Sequence, residues 1–166
     1  VDLFITADGR QLYFCSNRPV QGEAPKDFDI WVSDRAGAGW SEPRNLGAPI
    51  NSPAAEFYPT LTRDGTMYFQ SQRPGGQGAA DMWRARLREG RYAEAECLPA
   101  PVNTSGFEGD AFIAPDESYL IVSTSVGTPP SSAGLPTAKP DGVPAQAPKL
   151  GLVQARSQPA QEAAVT

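Results

Sequence analysis

The sequence contains no histidine, and this absence excludes several classes of catalyst. Histidine is the commonest general base and metal ligand near neutral pH, and a Ser–His–Asp triad cannot form without it. No Gly-x-Ser-x-Gly nucleophile elbow is present either. With only two isolated cysteines, Cys15 and Cys97, the chain offers no zinc-binding pattern. We therefore predict no metal site and no resident cofactor.

Two further absences concern membranes and nucleic acids. The chain has no run of about 18 apolar residues, the length typical of a membrane-spanning helix, and no signal peptide is recognisable. Its formal net charge is −5, from 14 basic and 19 acidic residues, and no basic stripe stands out. We expect neither a membrane span nor a nucleic-acid partner.

The end of the chain has no aromatic residues. All fifteen aromatic residues lie between Phe4 and Tyr119, whereas residues 126–166 have none and carry seven of the 17 prolines. A segment so poor in large apolar groups cannot offset the entropy cost of ordering itself. We predict a disordered tail over 126–166 and a globular part over 1–125.

What the chain does have is an internal repeat with a period of 52 residues. Asp29-Ile30-Trp31 returns as Asp81-Met82-Trp83. Other pairs at the same offset are Pro49 and Pro101, Asn51 and Asn103, Glu56 and Glu108, and Asp64 and Asp116. Repeats of about this length are typical of solenoids, propellers and arrays. The chain divides into units at about 2–55 and 56–107, with the first part of a third unit at 108–125.

One unit contains the pattern of four short strands. In the second unit, two β-rich runs flank the Asp64-Gly65 pair, which favours a hairpin. A Gly/Pro-rich loop over 73–78 precedes an alternating strand over 81–87, and a weaker fourth strand follows over 92–98. A four-stranded meander of about 50 residues is the unit of a β-propeller. We predict an all-β fold with two full propeller blades, half of a third, and the tail.

At this point the residues carry a family resemblance. The segment over 62–76, followed by Asp81-Met82-Trp83, resembles the WD40-like repeat of TolB-type β-propellers. The segments over 40–47 and 49–51 resemble a bacterial branch in which such propellers accompany OmpA-like domains. The resemblance covers residues 2–125. It implies a propeller fold and a bacterial cell-envelope or periplasmic location, and it is poorly specific for function because propellers host many functions.

Most of the repeated residues have a structural interpretation. Asp8-Gly9, Asp64-Gly65 and Asp116 fit turn chemistry, in which Asp bonds nearby backbone and Gly supplies a positive φ. Arg18 and Arg73 are expected to pair with Asp29 and Asp81 across the Pro-containing loop, with a bound anion as the alternative. Trp31 and Trp83 are expected to fill the core, with an exposed carbohydrate platform as the alternative. Cys15 and Cys97 fall outside the repeated pattern, so two free thiols are expected rather than a disulfide.

The first strand of each unit holds the candidate binding residues. Glu56 and Glu108 open these strands, and Asp110 and its counterpart Asp2 lie two positions further on. In a propeller this strand lines the central channel, so the four carboxylates could bind a cation or a basic peptide. The interpretation that we prefer is structural, namely that each glutamate accepts hydrogen bonds from the backbone of a neighbouring blade.

The leading functional hypothesis is a non-catalytic module that binds a protein partner. The alternative is a piece of a glycan-active hydrolase that uses Glu56, Glu108, Asp110 and Tyr58. TolB-like propellers close a ring of about six blades, so this chain is expected to be a truncated or frame-shifted piece. Its open edges predict self-association.

Overall fold

The computed structural model describes residues 1–20, 27–125 and 151–156, and these residues form fourteen β-strands and no helix. The strands are β1 Phe4–Ile5, β2 Gln11–Ser16, β3 Asp29–Ala36, β4 Gly39–Trp40, β5 Arg44–Asn45, β6 Glu56–Leu61, β7 Met67–Ser71, β8 Asp81–Ala85, β9 Leu87–Arg88, β10 Arg91–Tyr92, β11 Glu96–Cys97, β12 Glu108–Ile113, β13 Tyr119–Thr124 and β14 Gly151–Arg156. In this part of the chain, no helix is long and apolar enough to span a membrane. The all-β prediction is confirmed.

The first sheet is an antiparallel meander of β1 to β5. β2 pairs with β1 on one side and with β3 on the other, over the full length from Gln11↔Asp34 to Ser16↔Asp29. β4 and β5 pair with different parts of β3, so the outer position is shared by two short strands. The turn between β1 and β2 is the Asp8-Gly9 turn, where Gly9 has a φ of 69°.

The second sheet repeats this order as β6-β7-β8-β11. The strand predicted over 81–87 ends at Ala85, and the next residues form a separate β9–β10 hairpin. The predicted fourth strand is reduced to Glu96–Cys97, which pairs with β8 as Arg44–Asn45 pairs with β3. Every residue of β7 is buried, because sheets pack against both of its faces.

The third sheet has the order β12-β13-β14. β12 and β13 form the expected antiparallel hairpin, whereas β14 pairs with β13 in parallel, from Tyr119↔Gly151 to Thr124↔Arg156. Residues 151–156 lie within the segment predicted to be disordered, so for these six residues the prediction was wrong. The physical reason is that β13 would otherwise present an unpaired row of backbone groups, which a nearby extended segment can satisfy. The rest of the predicted tail lies outside the described residues.

Two apolar cores join the three sheets. One core combines residues of the first and second sheets, among them Tyr13, Val32, Leu61 and Phe69. The other combines residues of the second and third sheets, among them Tyr68, Met82, Ile113 and Val122. The second sheet therefore lies between the other two. Its first strand, β6, contacts both β1 and β12, which brings the first strands of all three units together.

Candidate functional site

The Asp-Gly turns have the structural role that the sequence predicts. The Asp8 carboxylate accepts hydrogen bonds from the Thr6 hydroxyl and the Arg10 N–H, and the Asp64 carboxylate accepts from the Thr62 hydroxyl and the Thr66 N–H. These bonds hold the pKa of Asp8 and of Asp64 below the usual range for aspartate.

In the third unit, Asp116 accepts both bonds from Ser118, one from its N–H and one from its hydroxyl, and they lower the pKa of its carboxyl group. Gly65 has a φ of 85°, and in the third unit Glu117 takes the equivalent position with a φ of 60°. This positive φ is unfavourable for a residue with a Cβ atom. The Tyr68 hydroxyl donates a hydrogen bond to the Glu117 carboxylate and so ties this turn to the second sheet.

The predicted pairing of Arg73 with Asp81 was wrong. The Arg73 guanidinium instead donates to the carbonyls of Pro49 and Ile50 and lies 3.2 Å from the Glu56 carboxylate. It also stacks on the rings of Phe69 and Trp83. Sequence spacing suggested a pairing within one unit, whereas the arginine actually joins its unit to the end of the preceding one.

The aspartates of this motif bond the backbone and a neighbouring amide. Asp81 accepts hydrogen bonds from the N–H groups of Gln77 and Gly78, so it holds the loop that precedes it. Asp29 accepts a bond of 2.8 Å from the Asn45 side chain. The predicted pairing of Arg18 with Asp29 was also wrong, because the Arg18 Nε donates to the Ser16 hydroxyl.

The tryptophans and asparagines of the repeat are buried. Trp31 is 6% exposed and Trp83 is 7% exposed, which confirms the prediction that they fill the core. The Asn103 side chain bonds both the N–H and the C=O of Met82, and Asn51 does the same with Ile30. Each asparagine side chain therefore satisfies the N–H and C=O of one residue of the third strand, as the backbone of a neighbouring strand would. The repeat in the sequence identified the two asparagines as recurring residues, but it did not predict their hydrogen bonds to the third strand.

The two glutamates lie inside the protein. Glu56 is 0% exposed and accepts bonds from the Ser52 N–H and hydroxyl, the Ser71 hydroxyl and the Arg73 guanidinium. Glu108 is also 0% exposed, and its bonds come from Thr104 and Thr124. Buried carboxylates with several donors serve to fix local structure. Neither is open to a ligand as the channel hypothesis required.

The two aspartates and Tyr58 remain at the surface and share one unusual backbone conformation. Asp2, Tyr58 and Asp110 occupy the same position in the three units and have φ values of 55°, 51° and 47°. In β6 and β12 this position lies in a β-bulge. Burial raises the pKa of Tyr58 to about 12, and the negative charges of Asp110 and Asp2 contribute to this shift. Burial also raises the pKa of Asp2, and the charge of Asp110 adds to this shift.

A groove of about 870 Å³ lies at the turn end of the sheets. Its apolar lining includes Tyr13, Leu61, Leu87, Tyr92 and Phe112, contributed by all three units. Leu87 is 38% exposed and Phe112 is 42% exposed, so part of this lining faces solvent. The sequence pattern gives no indication of the groove, because the groove forms only where the units meet.

Charged side chains of both signs line the groove. Arg10, Arg35 and Arg63 line it together with Asp8, Asp34 and Asp64. Arg10 lies 3.9 Å from Asp8 at the surface, a solvent-exposed pair of little energetic weight. An apolar floor with a mixed-charge rim is suited to an amphipathic ligand rather than to a small anion.

The described residues contain no group of three Cys, Asp or Glu side chains that could hold a metal ion. Cys15 and Cys97 are both free thiols. Comparison of the chain with family models, with curated proteins and with solved structures found no match.

Proposed function

We propose that the chain consists of blades of a TolB-type β-propeller and works as a non-catalytic module that binds a segment of a partner protein. The sequence motifs over 62–76 and 81–83 support the family. Three successive sheets that each begin with an antiparallel hairpin, with their first strands side by side, support the blade interpretation. The same resemblance supports a location in the bacterial periplasm or cell envelope.

The groove is the observation that carries this proposal. The repeated Glu, Asn and Trp side chains, together with Arg73, are buried or nearly so and engaged with the protein itself. The groove, by contrast, combines exposed apolar surface with charged side chains of both signs at its rim. Its volume accommodates a few side chains of an extended segment. A peptide with apolar anchors and flanking charges of either sign matches this lining.

Fewer observations support the alternative function, a glycan hydrolase. Two of its four candidate carboxyl and hydroxyl groups, those of Glu56 and Glu108, are fully buried. It would therefore have to use Tyr58 and Asp110, of which only one is a carboxylic acid. Glycosidases generally need a pair of carboxyl groups flanking the scissile bond, so Asp2 would have to supply the second.

Selection of peptides from a random display library on the purified chain tests the binding proposal. We expect selected peptides to bind with an affinity that falls on the order of tenfold or more when Leu87→Glu is introduced, because a charge then replaces the apolar floor. Arg63→Glu should shift the selected sequences away from acidic residues.

The matched control is Phe107→Ser, since Phe107 is 40% exposed yet does not line the groove. Binding should be unchanged in this variant. Peptides whose affinity is insensitive to Leu87→Glu and Arg63→Glu would refute a function located in the groove.

A further inference from the structure

The outer hairpin of the second sheet carries a row of arginine side chains. Arg84, Arg86 and Arg88 occupy alternate positions along the chain from β8 into β9, so they lie on one side of the hairpin. Arg91 pairs with Arg88 across the hairpin and therefore lies on the same side. Strand alternation thus brings together four arginines that other residues separate in the sequence, and we call these four residues the arginine row.

Within the described part of the chain, only one end of the arginine row is paired with a carboxylate. Arg84 lies 2.7 Å from Glu96, and this hydrogen bond, with the charges of the next two arginines, holds the pKa of Glu96 below the usual range for glutamate. The guanidinium groups of Arg86, Arg88 and Arg91 pair with no carboxylate of a described residue. Like charges directly opposite each other on two strands repel. An anion bound between Arg88 and Arg91 would relieve that repulsion.

The fold itself does not require these arginines. The first sheet has Asp34, Ala36 and Gly39 at the positions of the last three arginines of the row. These three residues are exposed, although the complete second sheet follows them in space. This outer part of a sheet is therefore open to solvent even where another sheet packs beside it, and the first unit folds without an arginine at any of the three positions.

The arginine row adjoins the groove at the Asp64-Gly65 turn. Leu87 lines the groove and packs so closely on this turn that a Cβ atom added at Gly65 would lie 2.7 Å from its Cδ2 atom. Asp64 also lines the groove, and the charge of Arg86 contributes, after the hydrogen bonds within the turn, to the low pKa of Asp64. A peptide that leaves the groove at this turn therefore meets the arginine row.

On the basis of the groove function proposed above, we propose that the arginine row binds an acidic stretch of the partner segment whose apolar part occupies the groove. A guanidinium group binds a carboxylate through two parallel hydrogen bonds, so the open arginines suit successive Asp or Glu side chains. The net charge of the whole chain is −5, which repels a long polyanion. A short acidic stretch beside apolar anchors therefore fits this surface better than a nucleic acid does.

Titration of the isotopically labelled chain with hexaglutamate, followed by NMR, tests the arginine row without the groove. We expect the Nε–H signals of Arg86, Arg88 and Arg91 to shift, and rising salt should reverse the shifts because exposed ion pairs are screened. Hexaglutamine is the uncharged control and should leave these signals unchanged. An oligothymidylate that shifts the same signals at lower concentration than hexaglutamate would overturn the peptide assignment in favour of a nucleic acid.

Peptides selected on the groove test whether the two surfaces act together. Each peptide is synthesised with flanking glutamates or with flanking glutamines. The glutamate version should bind more tightly at low salt, on the order of tenfold, because it adds several exposed ion pairs. The double variant Arg88→Ala/Arg91→Ala should remove this advantage and leave the affinity of the glutamine version unchanged.

The matched control is the double variant Arg18→Ala/Arg44→Ala. It removes the same charge from two exposed arginines that lie outside both the hairpin and the groove, so the advantage of the glutamate version should remain. Urea midpoints close to that of the unmodified chain would show that both double variants are folded. The titration with hexaglutamate uses the unmodified chain, so its result does not depend on the folding of any variant.

The possible failures of the two proposals can be told apart. Hexaglutamate that shifts no signal of the arginine row overturns the acidic partner. Selected peptides whose binding depends on Leu87 but gains nothing from flanking glutamates also overturn it, while the groove function stands. Hexaglutamate that binds to the row, when no selected peptide depends on Leu87, supports the acidic ligand and refutes the function of the groove.

Discussion

Replacing Glu56 by alanine tests whether the glutamate of the repeat is a structural anchor. The substitution removes the acceptor of four hydrogen bonds, from Ser52, Ser71 and Arg73, at a site that is 0% exposed. It also leaves the Arg73 side chain, itself 13% exposed, without its carboxylate. Leaving this largely buried cation without its counter-charge is the more costly of these two losses.

The expected decrease in the free energy of unfolding follows from the contacts of Glu56 and Arg73. Removing one member of a buried ion pair costs about 3–5 kcal/mol. Arg73 keeps its bonds to two backbone carbonyls and to Ser71, so the lower end, about 3 kcal/mol, is expected for Glu56→Ala. Among the residues that the structure describes, Glu108 accepts from Thr104 and Thr124 and pairs with no cation, so Glu108→Ala should cost less, about 1–2 kcal/mol.

Urea unfolding followed by tryptophan fluorescence measures both values, since Trp31 and Trp83 are buried and will respond to unfolding. The exposed residue Glu94 supplies the control, and Glu94→Ala should change the free energy of unfolding by no more than about 0.5 kcal/mol. If Glu56→Ala were no more destabilising than Glu94→Ala, the carboxylate would not be an anchor. Glu56 would then again be a candidate for binding a ligand.

Three further predictions concern single side chains. Asn103→Ala should lower the free energy of unfolding by about 2–3 kcal/mol in a urea titration, because the N–H and C=O of Met82 lose their buried partner. The lowered pKa of Asp64 means that its contribution is present above the usual aspartate pKa and lost as pH falls through the folded value. Asp64→Asn should therefore flatten the acid side of a plot of thermal midpoint against pH. Burial raises the pKa of Cys15 to about 12, so iodoacetamide at about pH 8 should label the half-buried Cys97 first, as peptide masses would show.

The sequence predicted the elements of the fold that depend on local chemistry. Alternation of apolar residues, the Asp-Gly turns and the burial of the repeated tryptophans all follow from residue type and spacing, and the structure contains them. The predictions for Arg73 and Asp81 failed because they assumed that partners lie within one unit. The arginine reaches across the junction to the preceding unit, and no feature of one repeat reveals that contact.

Strand pairing at the end of the third unit was likewise beyond the sequence pattern. Gly151–Arg156 carries no counterpart of the Asp-x-Trp motif, yet it pairs with β13 at the position that β3 and β8 hold in their sheets. The hydrogen bonds between strands are made by backbone groups, so they do not depend on a particular side-chain pattern. An unpaired edge can therefore recruit a segment that the repeat does not mark.

The sequence by itself determined the all-β class, the period of 52 residues and the turn, loop and core roles of most repeated residues, because these depend on interactions between near neighbours. Only the tertiary structure decided that Glu56 and Glu108 are sealed inside the protein while Asp2, Tyr58 and Asp110 stay accessible. It alone also shows the groove. The groove arises where one unit meets the next, and packing between units is a property that no single unit encodes.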